Sequence, residues 1–321
     1  MLYSAFGLTL KTNRDIPGLI RSPVNDADVQ IIMGEFPDWF RDHSSAQLYF
    51  QNKKVDSNGA ALLTVWKLKE NYFHFRYSDN IEFLVNESNV FARWPASLTL
   101  EDTVVYLLGP ILAFVLLLRG IVTLHASAIA IDNYAIALIG PAGSGKSTTA
   151  AGFAQKGFSV LSDDVTILDD RGNEFYVTPT YPRIRLWPSS VGNLCGSEDA
   201  LPLLTPTWDK RFLDLTTNDK FEADSLPLKA LYFFADRVGE DDRPKIISCS
   251  APEGLTGLVS NAYVTYLKDR NKRSQEFQLL NKLIAKVPVR SVLPHSDPRY
   301  LDRLCDVLIQ DFRQMELVGN V

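Results

Sequence analysis

The feature that most constrains this chain is a glycine-rich octapeptide at residues 140–147. It reads Gly-Pro-Ala-Gly-Ser-Gly-Lys-Ser and satisfies the pattern Gly-x-x-x-x-Gly-Lys-Ser. An apolar run at 134–139 precedes it and an alanine-rich segment follows it, so the loop is predicted to join a β-strand to an α-helix. In that context the glycines let backbone amides point at a phosphate group, and the helix N-terminus favours negative charge. The motif therefore predicts a nucleoside triphosphate site.

Residues in and just after this loop are expected to have separate roles. Lys146 is predicted to neutralise the β- and γ-phosphates, and the hydroxyl of Ser147 is predicted to hold Mg²⁺. The residues predicted to contact the nucleotide are Gly140, Pro141, Ala142, Gly143, Ser144, Gly145, Lys146, Ser147 and Thr148.

Two adjacent carboxylates follow the next predicted strand. Asp163 and Asp164 come 17 and 18 residues after Lys146, at the end of the apolar run 158–162. A strand–helix–strand crossover is right-handed and makes its two strands parallel, so this strand end is expected at the same sheet edge as the loop. Asp163 is assigned as the metal ligand and Asp164 as the catalytic base, although the residues alone leave open which of the two has which role. The alternative is a solvated turn or a helix cap.

A histidine is predicted beside the loop by the register of a hairpin. Residues 124–131 and 134–139 are apolar runs separated by Asp132 and Asn133, which suits a two-residue turn. Counting outward from that turn pairs His125 with Gly140. His125 is therefore a candidate to orient the base or to contact the γ-phosphate, and a purely structural histidine is the alternative.

Four cationic residues further along are candidate phosphate or substrate contacts. A guanidinium or ammonium group can stabilise the charge that a loose phosphoryl transition state spreads over its oxygens. Ordinary surface charge is the alternative for each of them. The candidates are Arg183, Arg185, Lys210 and Arg211.

Composition limits the class of partner. The net charge is −5 and no long Lys/Arg run is present, which disfavours nucleic acid or an anionic membrane as a partner. The three cysteines, Cys195, Cys249 and Cys305, are far apart and disfavour a disulfide framework or a structural zinc site. The N-terminus also lacks the pattern of a secretory signal. A cytoplasmic protein is therefore expected.

The chain is predicted to have two domains, divided near residue 98. Residues 1–98 contain short alternating apolar and polar runs, which predict a mostly antiparallel β-rich domain. Residues 104–118 are almost wholly apolar but fall short of the ~20 residues that cross a bilayer, so a buried helix over 101–119 is expected. Residues 99–321 are predicted to form an α/β catalytic domain. Its later strands are predicted at 229–235, 245–249 and 287–293, and its later helices at 252–267, 274–286 and 298–315.

Residues 124–164 together resemble the catalytic domain of HPr kinase/phosphorylase and its relatives, which share a core with phosphoenolpyruvate carboxykinase. The histidine, the glycine-rich loop and the Asp-Asp pair have the same order and similar spacing. The resemblance implies an α/β P-loop kinase core, a serine kinase that uses ATP and Mg²⁺, and a peptide or protein acceptor. It also implies that Lys146 and Ser147 act on phosphate and metal, and that Asp163, Asp164 and His125 act at the transfer step. The relatives are commonly oligomeric, so a homo-oligomer is one expectation.

The resemblance has one departure and one narrower likeness. The founding enzymes carry a Glu-x-Arg-Gly-rich signature after Asp-Asp that is associated with the reverse, phosphorolytic reaction. Residues 181–188 here read Tyr-Pro-Arg-Ile-Arg-Leu-Trp-Pro, so neither the reverse reaction nor HPr as substrate is expected. The segment Tyr3-Ser-Ala-Phe-Gly-Leu-Thr is similar to divergent HPr-kinase-like proteins, some of which phosphorylate a C-terminal serine of lasso-peptide precursors.

Three functions remain open on the sequence. The first is a kinase that transfers the γ-phosphoryl group of ATP to a serine of a peptide or protein. The second is a small-molecule kinase or carboxykinase-like enzyme, which a closed acceptor pocket lined by Arg183 or Arg185 would favour. The third is a nucleotide-binding regulatory ATPase without an acceptor.

Overall fold

The computed structural model describes residues 1–40, 46–239 and 242–319, which fall into two compact units. The first unit consists of Met1–Ile121, Thr205–Trp208 and Val264–Lys272. The second consists of Val122–Leu204, Asp209–Tyr263 and Arg273–Val321. The first unit therefore includes the apolar helix that the sequence analysis assigned to the second domain, and the division at residue 98 stays a prediction.

The first unit contains a nine-stranded sheet in the order β3-β1-β2-β4-β9-β8-β7-β6-β5. The pairs β2–β4 and β4–β9 are parallel and the other six are antiparallel, as expected for a mostly antiparallel region. The strands are β1 Leu2–Ala5, β2 Leu8–Thr12, β3 Ile20–Arg21, β4 Val29–Met33, β5 Gln47–Gln51, β6 Leu63–Lys67, β7 Phe73–Tyr77, β8 Glu82–Val85 and β9 Asn89–Arg93.

The apolar segment forms a broken helix in the first unit. It consists of α1 (Leu100–Tyr106), a wide π-type turn at Leu107–Ile111 that contains Gly109 and Pro110, and α2 (Leu112–Leu118). By length and composition the segment Leu100–Leu118 could cross a membrane, but 78% of its most apolar window is buried inside the protein. Phe114 packs edge-to-face on Phe73 and Phe75, with ring centroids 5.0 Å apart in each pair. These contacts are those of a core helix.

A buried carboxylate on β8 is surrounded by cations. Glu82 is 6% exposed, and its Oε1 accepts a 2.6 Å hydrogen bond from Arg76 Nε and lies 3.5 Å from Nε2 of the buried His74. Arg93 Nε pairs with its other oxygen. Burial by itself would raise the pKa of Glu82, but hydrogen bonds from His74, Arg93 and Arg76 outweigh burial and hold the pKa well below its usual range.

We expect Glu82→Gln to lower the free energy of unfolding by about 2 kcal/mol at pH 7, because it weakens two charge-assisted hydrogen bonds of a buried carboxylate to the half-exposed Arg76 and Arg93. A carboxyl whose pKa is lowered by folding stabilises the protein above its unfolded-state pKa of about 4.3, and this contribution is lost as the pH falls. The difference between wild type and variant in denaturant titrations should therefore shrink toward acid pH. Glu174→Gln, which alters an exposed pair with Lys229, is the matched control. Equal stability of Glu82→Gln and wild type at pH 7 would contradict this account.

The second unit is built on a sheet in the order β10-β14-β15-β19-β12-β11-β13, with β21 beside β19 and β20 beside β21. A separate small sheet has the order β16-β18-β17. The strands are β10 Val122–Leu124, β11 Ala126–Ile131, β12 Tyr134–Ile139, β13 Val160–Ser162, β14 Thr166–Asp170, β15 Phe175–Thr178, β16 Arg183–Leu186, β17 Leu203–Thr205, β18 Trp208–Asp214, β19 Leu226–Phe234, β20 Lys245–Ser248 and β21 Val289–Leu293. The helices that follow α2 are α3 Lys146–Gln155, α4 Pro188–Cys195, α5 Ala251–Ser260, α6 Arg270–Lys286 and α7 Leu301–Gly319.

The hairpin and the crossover form as predicted. Strands β11 and β12 pair antiparallel from Ile131↔Tyr134 to Ala126↔Ile139, which is the predicted register. Strand β13 also pairs antiparallel with β11, so β12 and β13 are parallel with β11 between them. Helix α3 connects them, and its buried face, which includes Phe153, packs in the core with Ile129 and Ile136. The ends of β12 and β13 therefore lie at the same edge of the sheet.

The predicted helix over 252–267 is wrong in its second half. Helix α5 ends at Ser260, and a separate short 3₁₀ turn forms at Thr265–Leu267. Between them Val264 has a left-handed φ of 46°, which a continuous right-handed helix cannot contain. The break matters for the site because it contains Tyr263.

Candidate active site

The 140–147 loop has the backbone that its glycines require. Gly143 and Gly145 have φ values of 81° and 108°, in the region that side chains disfavour. At Gly140 a Cβ atom would lie 2.9 Å from Ser144 Oγ and 3.1 Å from Phe234 Cβ, which is too close. The loop ends in the first turn of α3, so the free amides of that turn are available to an anion.

Lys146 bends back over the start of the loop. Its Nζ donates hydrogen bonds to the carbonyl oxygens of Gly140 at 2.7 Å and Pro141 at 3.0 Å, and the residue is only 5% exposed. Burial lowers the pKa of Lys146, while the charges of Asp163 and Asp164 act in the opposite direction. The ammonium group is thus held next to the loop and within the field of the two carboxylates.

Asp163 lies at the end of β13 and is 2% exposed. Its Oδ1 accepts a 2.7 Å hydrogen bond from Ser127 Oγ, and its Oδ2 accepts the backbone N–H of Arg185 at 3.2 Å. The hydroxyl of Ser147 also lies near this carboxylate and favours its charged form. Burial, reinforced by the charge of Asp164, raises the pKa of Asp163 despite these hydrogen bonds. The carboxylate and the Ser147 hydroxyl, the two predicted Mg²⁺ ligands, are therefore close to each other.

Asp164 contacts a different set of residues from Asp163. It has a left-handed φ of 71°, which interrupts the alternation of side chains along the strand. Its Oδ1 lies 3.1 Å from His125 Nδ1, its Oδ2 accepts a hydrogen bond from Tyr263 at 3.2 Å, and Arg185 Nη1 lies 3.7 Å away. Burial alone would raise the pKa of Asp164, but His125, Arg185 and Lys210 hold it below its usual range. The side chain is 23% exposed and is therefore more accessible than that of Asp163.

His125 lies one residue before β11, where the predicted register puts it. Its backbone N–H donates a 2.7 Å hydrogen bond to the carbonyl of Asn261, just after α5. Its Nδ1 also lies 3.2 Å from the backbone oxygen of Asp164. The structure thus brings His125 to Asp164, and the two contacts fix the orientation of the imidazole relative to that carboxylate.

Two of the cationic candidates lie on one face of the small sheet. Arg183 and Arg185 alternate along β16 with Ile184 and Leu186, which are buried in the core. The guanidinium carbon of Arg183 lies 3.9 Å from the ring centroid of Phe212 on β18, and the side chain of Arg185 is 9% exposed. Among the described residues, neither Nε atom has a hydrogen-bond partner. Charged donors that lack a hydrogen-bond partner are suited to bind an anion.

The other two cationic candidates diverge. Lys210 Nζ lies 4.7 Å from the ring centroid of Trp187, and its charge acts on Asp164. Arg211, the next residue on β18, pairs with Asp199 instead. Successive strand residues point to opposite faces, so the structure does not bring Arg211 to the carboxylates.

Two contributors were missed by the sequence analysis. Ser127 is two residues after His125 on the same hairpin strand, so period-two alternation could have identified it as sharing that face. Tyr263 is 99 residues from Asp164 and is positioned by the break after α5, for which the sequence carries no clear signal.

A divalent cation is compatible with these residues. The described part of the chain has no group of three or more His, Cys, Asp or Glu placed to hold a metal ion. Mg²⁺ beside a triphosphate needs only one or two protein ligands, since phosphate oxygens and water complete its shell. Asp163 and Ser147, which lie close together, would supply such a pair of hard oxygen ligands.

Comparison with known proteins gives a likeness to solved structures and no match in sequence. No protein-family model matches the chain, and no curated protein sequence matches it. Among solved structures it is similar to "Structure of the Hpr(Ser) kinase/phosphatase from Coxiella burnetii", with 15% identity and a TM-score of 0.35 over 62% of this chain and 94% of that chain. Likeness at this level does not establish a family.

Proposed function

We propose that the second unit is a Mg²⁺-dependent kinase that transfers the γ-phosphoryl group of ATP to a serine hydroxyl of a peptide or protein. The observation that carries the proposal is the environment of Asp164. This carboxylate is held by His125, Arg185 and Tyr263 at the sheet edge where the 140–147 loop begins. A structural carboxylate would not need an imidazole, a guanidinium, a phenol and partial exposure next to such a loop.

The proposed reaction is an in-line transfer. The acceptor hydroxyl gives its proton to Asp164 as its oxygen bonds to the γ-phosphorus, and the bond from that phosphorus to the bridging oxygen of ADP breaks. The pKa of Asp164 lies below its usual range, so the carboxylate is ionised at neutral pH, and it takes the proton only as bond formation to phosphorus makes the hydroxyl acidic. His125 orients this carboxylate, and Arg185 lies where it would stabilise charge on the transferring oxygens.

The other residues act on the nucleotide. The loop amides and Lys146 would bind the β- and γ-phosphates, for which the ammonium group would exchange its present contacts with Gly140 and Pro141. Bound Mg²⁺ would neutralise phosphate charge, and Ser147 and Asp163 are the residues that would hold it.

The test is to follow the fate of the γ-phosphate. The full chain is incubated with γ-labelled ATP, Mg²⁺ and a set of serine-containing peptides that includes lasso-peptide precursor C-termini, and the products are separated by mass. We expect label on peptide serine. Label that appears only as inorganic phosphate would reject the kinase proposal in favour of a regulatory ATPase.

A second candidate, a small-molecule kinase or carboxykinase-like enzyme, is favoured by one observation. Arg185 is 9% exposed and, like Arg183, has an Nε atom without a hydrogen-bond partner among the described residues. Such groups suit an acceptor that carries its own carboxylate or phosphate. This candidate predicts that label moves from ATP into a compound of low molecular mass while the peptides stay unlabelled.

A further inference from the structure

A cavity of about 260 Å³ opens in the second unit beside the 140–147 loop. Ser144, Gly145 and Thr148 line one side of it, and residues from the segment 294–304, which connects β21 to α7 and includes the first turn of α7, line another. Thr148 belongs to the first turn of α3, and its hydroxyl contacts Ser190 Oγ of α4 at 2.9 Å. The cavity is therefore continuous with the loop and is distinct from the group around Asp164.

The cavity walls combine apolar surface with an aromatic pair. Phe234, Leu301 and Leu304 supply apolar side chains. The imidazole of His295 stacks on the ring of Tyr300, with centroids 3.9 Å apart and an interplanar angle of 27°. Polar side chains, among them Ser189, Ser190 and Asn193, contribute as much of the lining as apolar ones do, and the volume is just below the roughly 300 Å³ at which drug-sized sites begin. A group of about nucleoside size is the appropriate occupant.

Two buried polar atoms of the lining have no partner among the described residues. One is Oγ of Ser144, and the other is Nε2 of His295, whose residue is only 6% exposed. Nδ1 of His295 accepts the backbone N–H of Asp297 at 2.8 Å, so the proton of the neutral ring is on Nε2. His295 thus offers a hydrogen-bond donor that the protein does not use. An unused buried donor is costly, and a ligand acceptor would satisfy it.

We propose that this cavity binds the nucleoside portion of the triphosphate, with His295 Nε2–H donating to a ring nitrogen or carbonyl of the base. The inference rests on the proposed function, because it needs the phosphates to lie on the 140–147 loop. Arg237 also lines the cavity, and its Nη2 lies 3.5 Å from the carbonyl oxygen of Gly143. A cation at that point lies between the phosphate loop and the base pocket.

The test compares ATP with inorganic tripolyphosphate, which carries the phosphates without a nucleoside. Both are titrated calorimetrically, with Mg²⁺, into the full-length wild type, His295→Phe and Tyr300→Ala. His295→Phe keeps a flat ring but removes the donor, so the Kd for ATP should rise about three- to tenfold while that for tripolyphosphate stays within about twofold. Tyr300→Ala should behave in the same way. Tyr176→Ala, which removes an aromatic ring on β15 outside the cavity, should leave the Kd for ATP and the Kd for tripolyphosphate unchanged.

Two results would overturn the inference while leaving the proposed function intact. One is an equal loss of affinity for ATP and for tripolyphosphate in His295→Phe at an unchanged melting temperature. The other is an unchanged affinity of His295→Phe for both ligands. Failure of the wild type to bind either ligand would instead reject the proposed function, and the nucleoside pocket with it.

Discussion

Asp164→Asn is expected to lower the kcat of phosphoryl transfer by about 10²- to 10⁴-fold, the range that a positioned general base contributes. The amide keeps the shape of the side chain but cannot accept the proton of the acceptor hydroxyl. Because Asp164 does not contact the 140–147 loop through any of its described hydrogen bonds, the Kd for ATP should change far less than kcat. Single-turnover transfer and ATP titration on the same preparation separate the two quantities.

The design needs controls for charge and for folding. Asp169→Asn removes a carboxylate from β14 that pairs with Arg171 at the surface, and its activity should match that of the wild type. Asp164→Asn leaves the buried Arg185 without its partner, so melting temperatures are compared first. If Asp164→Asn kept full transfer while Asp163→Asn abolished it, the roles of base and metal ligand would have to be exchanged.

The sequence was informative where the interactions are local. The glycine pattern, the two-residue turn and the apolar runs locate the 140–147 loop, His125 and the Asp163–Asp164 pair, because hairpin register and crossover geometry follow from short segments. The contact between His125 and Asp164 follows from those two rules together.

The rest of the site depends on distant pairing. Sequence alone treated Arg185 and Arg211 alike, but the pairing of β16 with β18 turns one toward Asp164 and the other toward Asp199. Tyr263 reaches Asp164 only because α5 stops at Ser260. Helix propensity alone did not reveal that stop, since the break depends on a left-handed residue, Val264, whose type ordinarily disfavours that conformation.

The positions of the two carboxylates also bear on their roles. Asp163 is almost fully buried, and it accepts hydrogen bonds from Ser127 and a backbone amide. Asp164 is more exposed and lies among groups that stabilise its negative charge. A base has to be accessible to the acceptor hydroxyl, whereas a metal ligand has to lie near Ser147 of the loop. The difference in exposure and in neighbours therefore supports the assignment of Asp164 as the base.

Lys146→Met is expected to remove most of the nucleotide affinity and to lower kcat/KM by about 10²- to 10³-fold, as loss of one preorganised charge-stabilising donor does. Methionine fills the space of the lysine stem without its charge. Burial already lowers the pKa of Lys146, so losing the ammonium group removes a desolvation cost as well as two hydrogen bonds, and the nucleotide-free protein should unfold at nearly the wild-type temperature.

Thermal unfolding with and without Mg²⁺ and ATP checks this prediction. At an ATP concentration about 100 times the wild-type Kd, binding should stabilise the wild type by about 2.7 kcal/mol. At the same concentration Lys146→Met should lose nearly all of this stabilisation. Lys229→Met, a change at a partly exposed lysine on β19 that pairs with Glu174, should keep it. A phosphate bound at the 140–147 loop would lose affinity when the adjacent ammonium charge is removed. If Lys146→Met retained both the full stabilisation by ATP and the full rate of transfer, this loop could not be the site that binds the β- and γ-phosphates.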